Sequence, residues 1–167
     1  VYKVKNTKTL NERANSIIGK MGIGLEYFLF KHGPMTMAPS QLGGFAKSTP
    51  DRDTPNLEYH VQPLSLPKFG EPLHPFPAFT ASVCNLRPQS RGHVRIKSAD
   101  PFSQPAIRPN YLADPADQQV AADALRLTRK IVAADAMKRF EPEEFLPGLE
   151  FAADEDLARE AGNIATT

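Results

Sequence analysis

All sixteen prolines of this 167-residue chain fall between residues 34 and 147, and no other feature constrains the fold as much. Proline fixes φ, donates no backbone hydrogen bond and biases its predecessor away from the helical region. A long uninterrupted helix or a broad central strand is therefore excluded from most of the middle of the chain. What fits there is a series of short strands joined by stiff, ordered connections.

The segments with few or no prolines carry the helical signals. In "TLNERANSIIGKMGIGLEYFLFKHGP", Ala14, Ile17, Ile18, Met21, Leu25, Phe28 and Leu29 stand near helical spacing, and Gly33 and Pro34 end the pattern. Gly19, Gly22 and Gly24 interrupt it; each weakens a helix by roughly 1 kcal/mol relative to alanine, which predicts two short helices rather than one rod. Their order, GxxGxG inside an apolar helical face, reverses the dinucleotide fingerprint and does not open a helix after a strand.

Further on, Asp114 as N-cap, Pro115 in the first helical position and Asp117 in the first turn predict a helix with Val120, Ala124, Leu127, Ile131 and Ala134 as its apolar stripe. Arg126, Arg129 and Lys130 fall off that stripe and are expected on a solvated face. A last helix is predicted from Asp154 through Leu157, Ala161 and Ile164.

"VYKVK" at the start reads as a short strand, and "MTMAPSQLGGFAKS", "NLEYHVQPLSL", "FTASVCNLRP" and "GHVRIKS" read as strands of one mostly antiparallel sheet. The expected fold class is thus α+β, with helices packed on one face of the sheet. Alternation along "NLEYHVQ" puts Glu58 and His60 on one side and Tyr59, a core residue, on the other. "RPQSRG" is expected to be a tight reversal with Gly92 at positive φ, "LPKFGEPLHPFPAF" an exposed loop, and "EPEEF" a solvated one.

Composition serves to exclude. Twenty basic against nineteen acidic residues give a net charge of +1 without a basic stripe, which argues against a nucleic-acid partner. Cys84 is the only cysteine; within "AFTASVCNL" it reads as a small buried hydrophobe in a reducing, cytoplasmic setting. His32, His74 and His93 lack the short spacing of a metal site, no metal is expected, and no G-x-S-x-G marks a hydrolase.

One string goes further. Residues 87–101 read R-P-x-S-R-G-x-V-x-I-x-S-x-D-P, and 105–112 read P-x-I-x-x-N-Y-L. With "GGF" at 43–45, "PNLEYHVQP" at 55–63 and "PG" at 147–148, this resembles the C-terminal half of the glucose-methanol-choline (GMC) family of flavin-dependent alcohol oxidoreductases, most closely its choline-oxidising members. Residues 1–167 are then the substrate-binding domain, and the chain is read as a piece of a longer enzyme whose FAD-binding domain and catalytic histidine lie elsewhere.

The resemblance implies that the whole enzyme oxidises a primary alcohol to an aldehyde by hydride transfer to FAD, associated with a membrane or free of one, while this piece alone is inactive. It puts His60 against the alcohol, with Ser40 and Gln41 at the edge of the same pocket. Relatives that bind trimethylammonium groups carry aromatic or acidic residues at that edge, so the alcohol class is implied here rather than choline. The alternative is a stand-alone ligand-binding or assembly module without flavin. In either case a face freed of its neighbouring domain is expected to favour self-association.

Overall fold

The computed structural model describes residues 1–68 and 70–165. Five antiparallel strands form one sheet in the order β2-β3-β4-β1-β7: β1 (Tyr2–Lys3), β2 (Leu42–Ala46), β3 (Leu57–Gln62), β4 (Ala78–Asn85) and β7 (Glu143–Glu144). A separate two-stranded ribbon joins β5 (His93–Arg95) to β6 (Ala106–Arg108). The expected α+β class holds, but "GHVRIKS" pairs with "AIR" at 106–108 rather than with the main sheet.

One face of the sheet is covered by α3 (Pro115–Val132), which the short α4 (Asp135–Lys138) follows; α5 (Asp154–Ile164) packs against α3 in turn. Leu57, Val120 and Ala124 make the centre of this core, with Ala46, Val83 and Leu127 around them. Alternation explains the choice of face: Leu57 and Tyr59 are buried, while Glu58 and His60, which alternate with them, stay half-exposed. The Tyr59 hydroxyl meets the Ala124 carbonyl at 3.3 Å and Thr128 Oγ1 at 3.2 Å, so its polar end is satisfied inside the core.

The local signals for α3 are all present. The Asp114 side chain accepts from Ala116 N–H, Pro115 occupies the first turn, and the helix closes at Val132, leaving Ala134 outside it. Asp117 does something the helix alone does not require. Its carboxylate, buried under "RPQS", accepts from Asn85 Nδ2 (3.2 Å), Gln89 N–H (2.8 Å) and Ser90 N–H (2.7 Å). Burial pushes that carboxyl up, and the Ser90 and Gln89 hydrogen bonds more than reverse this, leaving it below the usual carboxylate range.

"RPQSRG" is therefore a strap across the start of α3 and no hairpin. Gly92 does not adopt a positive φ; a Cβ there would lie 2.1 Å from the Arg108 carbonyl oxygen, so glycine is required by the close approach of β5 to residues 108–109. Asn110 donates to the Arg91 carbonyl (3.1 Å), and Ser90 Oγ accepts from Asp114 N–H (3.0 Å). The motif residues Ser90, Arg91 and Asn110 thus hold the strap closed on the helix start.

Near the N-terminus, α1 (Leu10–Asn15) and α2 (Ile17–Phe30) meet at Ser16, which caps α2. The break precedes the glycines, and only Gly19 takes part in it: a Cβ there would run into the Arg13 carbonyl. The α2 stripe is not buried, with Ile18 at 82% and Phe28 at 74% exposure. The expected strand "MTMAPSQLGGFAKS" contracts to β2, preceded by a 3-10 turn at Pro34–Thr36.

Of three expectations about exposure, one largely holds and two are corrected. The expected exposed loop at 66–79 holds over Pro67, Lys68, Gly70, Glu71, Pro72 and Pro75, all exposed, with Phe69 outside the described residues; its last two residues, Ala78 and Phe79, belong to β4. "EPEEF" contributes β7, and the Glu144 side chain is only 2% exposed. Arg129, expected in solvent, reaches over to it and donates two hydrogen bonds of 2.9 and 2.8 Å. The two corrections share a cause, since Glu144 and Arg129 draw each other in across 15 residues of sequence.

Candidate functional site

The uncovered face of the sheet is where functional side chains gather. The strand register sets it: Gly43 and Phe45 on β2 stand opposite His60 and Glu58 on β3, which stand opposite Ser82 and Cys84 on β4. Directly paired antiparallel residues share a face, so these six residues form one surface. His60 Nε2 lies 3.6 Å from Glu58 Oε1. Two residues along β3, Gln62 Nε2 donates to Ser40 Oγ at 3.2 Å.

The structure thus brings Ser40 to the same face as His60, with Gln62, which the sequence reading passed over, as the link. Gln41 is tied to the edge of the sheet by its N–H, which donates to the Val61 carbonyl at 3.0 Å. Gln41 also borders an open cleft of about 330 Å³ with Arg13, Glu26, Pro34, Met37 and Pro63, which His60 does not line.

Cys84 corrects the expectation of a buried thiol. It is exposed, because alternation turns Val83 toward α3 and Cys84 outward. Its Sγ–H donates to the Glu58 carbonyl (3.6 Å), and desolvation, aided by the Glu58 charge, pushes the thiol up. Glu58, His60 and Cys84 each offer a donor atom, all within 4.8 Å of one another. Sequence spacing hides this grouping, since Glu58 and Cys84 are neighbours only through the β3–β4 register.

The other histidines stand apart from this face. His74 Nδ1 is 3.0 Å from Ser65 Oγ, and its ring stacks on Phe76 (4.9 Å between centroids) and meets Phe145 edge-on (5.4 Å). Burial lowers its pKa from the ordinary histidine value. His93 is exposed on the β5–β6 ribbon, and His32 is exposed after α2.

A sheet covered on one side by α3 and bearing Glu58, His60, Ser82 and Cys84 on the other defines a domain of the α+β class. Comparison with known proteins supplies the family. Residues 88–165 match the GMC oxidoreductase C-terminal family. The chain is 34% identical over 163 residues to an alcohol dehydrogenase [acceptor] of Pseudomonas putida, spanning 97% of this chain and 30% of that protein. It is 36% identical over 145 residues to an oxygen-dependent choline dehydrogenase of Escherichia coli strain K12, spanning 87% of this chain and 26% of that one.

Among solved structures, formate oxidase from Aspergillus oryzae superposes with a TM-score of 0.80 at 18% identity, over 98% of this chain and 33% of that one. An FAD-dependent oxidoreductase from Chaetomium thermophilum gives 0.74 at 19% identity, over 95% and 33%. The chain belongs to the GMC oxidoreductase family. It spans about a third or less of the length of these relatives.

Proposed function

We propose that this chain is the alcohol-facing wall of an FAD-dependent GMC alcohol oxidoreductase that oxidises a primary alcohol to an aldehyde by hydride transfer to flavin. The observation that carries the reading is the position of His60 on the uncovered face of a sheet whose other face is sealed by α3. In this role the imidazole hydrogen-bonds the alcohol hydroxyl, Glu58 beside it sets the ring's orientation, and the Gln62–Ser40 pair bounds the pocket with Gln41 at its rim.

The glycines of α2 lie inside a helix that follows α1, and not in a turn between a strand and a helix, so they do not build the glycine-rich turn that holds a dinucleotide pyrophosphate. FAD, where bound by the rest of such an enzyme, supplies the hydride acceptor. This chain's part is to bind and orient the alcohol, and on its own it is inactive.

The test is His60→Ala in the full-length enzyme, with the alcohol varied at saturating electron acceptor. Loss of a hydrogen bond worth about 1–1.5 kcal/mol predicts a fall in kcat/KM of roughly tenfold. An unchanged dependence on alcohol concentration removes His60 from the pocket.

The apolar face of α2, which nothing among the described residues covers, supports a second reading, in which the chain acts as an assembly module and pairs with itself. Ile17, Ile18, Met21, Leu25 and Phe28 are all more than half exposed on that helix. Sedimentation of the chain is expected to show a mass that rises with concentration, and Ile18→Glu combined with Phe28→Glu to restore a monomer. A single monomeric mass at all concentrations excludes pairing through α2.

A further inference from the structure

We propose that Glu58, His60 and Cys84 form a binding site for a borderline-soft divalent cation of the zinc type. The site follows from register. Glu58 and Cys84 are direct cross-strand partners, and His60 is two residues beyond Glu58 on the same face, so carboxylate, imidazole and thiol project into one volume. Cys84 is exposed and the His60 side chain is 45% exposed, which leaves the approach open.

The donor distances suit such an ion. Bonds of about 2.0–2.3 Å in a tetrahedral site put ligand atoms roughly 3.3–3.7 Å apart. Glu58 Oε1 and His60 Nε2 are already 3.6 Å apart, and all three donor atoms lie within 4.8 Å of one another. Closing the remaining distance takes rotation about side-chain torsions and no movement of the strands.

Donor chemistry selects the cation. One thiolate and one imidazole disfavour calcium and magnesium, which take oxygen ligands, and favour zinc, cobalt(II) or copper. With three protein ligands, the fourth tetrahedral position falls to water on the solvent side. The binding step balances simply: the Cys84 S–H bond breaks, its proton passes to solvent, and the Sγ–metal bond replaces the present hydrogen bond to the Glu58 carbonyl. No electron changes hands.

This site does not depend on the alcohol reading, because the ligands are judged by metal binding alone. Cobalt(II) chloride is the probe, titrated into the purified protein. The expected result is one equivalent bound, with a near-ultraviolet thiolate-to-cobalt absorption and visible bands of tetrahedral intensity. Cys84→Ser abolishes the thiolate band. Glu58→Gln and His60→Ala each weaken binding by more than roughly 100-fold, since even supporting residues around a metal cost 10–100-fold when removed.

His93→Ala, away from the site, leaves binding unchanged. Because all three ligands sit on an open face, the variants keep the fold, and their far-ultraviolet circular dichroism checks this. As a second measurement, zinc chloride raises the thermal midpoint of the unaltered protein and not of Cys84→Ala. The proposal is overturned if millimolar cobalt gives no thiolate band, or if Cys84→Ser or Glu58→Gln binds as tightly as the unaltered protein.

Discussion

Arg129→Ala is expected to lower stability by about 3–5 kcal/mol, the cost of leaving a buried carboxylate without its countercharge. Arg129 donates Nε–H and Nη2–H to the two Glu144 oxygens at 2.9 and 2.8 Å, and also reaches the carbonyls of Phe151 and Gly148, each at 2.9 Å. Four hydrogen bonds from one guanidinium thus tie α3 to β7 and to the turn that precedes α5. The Glu144 side chain is 2% exposed, so in the folded protein its charge is met by these donors rather than by water.

Chemical denaturation of the purified protein measures the effect, and a loss below 1 kcal/mol would refute this account of the pair. Arg129→Lys keeps the charge but not the planar fork, and should recover only part of the loss. Removing both partners, as in Arg129→Met with Glu144→Leu, should cost less than Arg129→Ala alone, because no orphaned charge remains.

Acid approaches the same pair from the other side. Burial pushes the Glu144 carboxyl up, but the hydrogen bonds and charge of Arg129, with Gly148 N–H and Tyr2, together hold it below the usual range. A carboxyl whose folded pKa is depressed stabilises fully above its unfolded pKa and loses that contribution as pH falls through the folded value. The acid slope of stability should therefore be shallower in Arg129→Ala.

What was legible in the sequence is what neighbouring residues decide among themselves. Asp114 and Pro115 specify the start of α3 because a cap and a preset φ act within one turn. The alternation of Leu57, Glu58, Tyr59 and His60 specifies which side chains face α3 because the pleat has period two. These two local facts already place His60 on the open face. Resemblance supplied the alcohol, which no spacing contains.

Pairings across the fold were not legible. Arg129 lies off the apolar stripe as predicted, yet it is held inward by a glutamate 15 residues on and by two backbone carbonyls. Cys84 sits in an apolar run that suggests burial, and only the β4 register reveals that it faces out toward Glu58. The α2 stripe has the spacing of a core-facing helix, but nothing among the described residues covers it. Periodicity reports which side of an element is apolar and is silent on what meets it.

Asn11 is the second residue whose loss should be severe, with Asn11→Ala expected to cost about 2–4 kcal/mol for orphaned buried polar groups. Asn11 is fully buried, its Oδ1 accepts from Ser65 N–H at 2.8 Å, and its Nδ2 faces Ser65 Oγ at 3.0 Å and the carbonyls of His74 and Phe76, each at 3.1 Å. A single amide from α1 thereby fixes both ends of the loop between β3 and β4. Asn11→Asp separates the two roles. It keeps the acceptor for Ser65 N–H but turns a second oxygen toward those carbonyls, so at neutral pH it should destabilise more than alanine and recover in acid as the carboxyl protonates. Hydrogen exchange locates the consequence: the amides of Ser65 and His74, the latter bonded to the Ser65 carbonyl at 3.0 Å, should lose protection first. Protection in that loop equal to that of the unaltered protein would mean the proline-rich chain holds its own shape. The loosening should also reach β3, because Gln62, which carries Ser40 to the His60 face, is the last residue before the loop begins at Pro63.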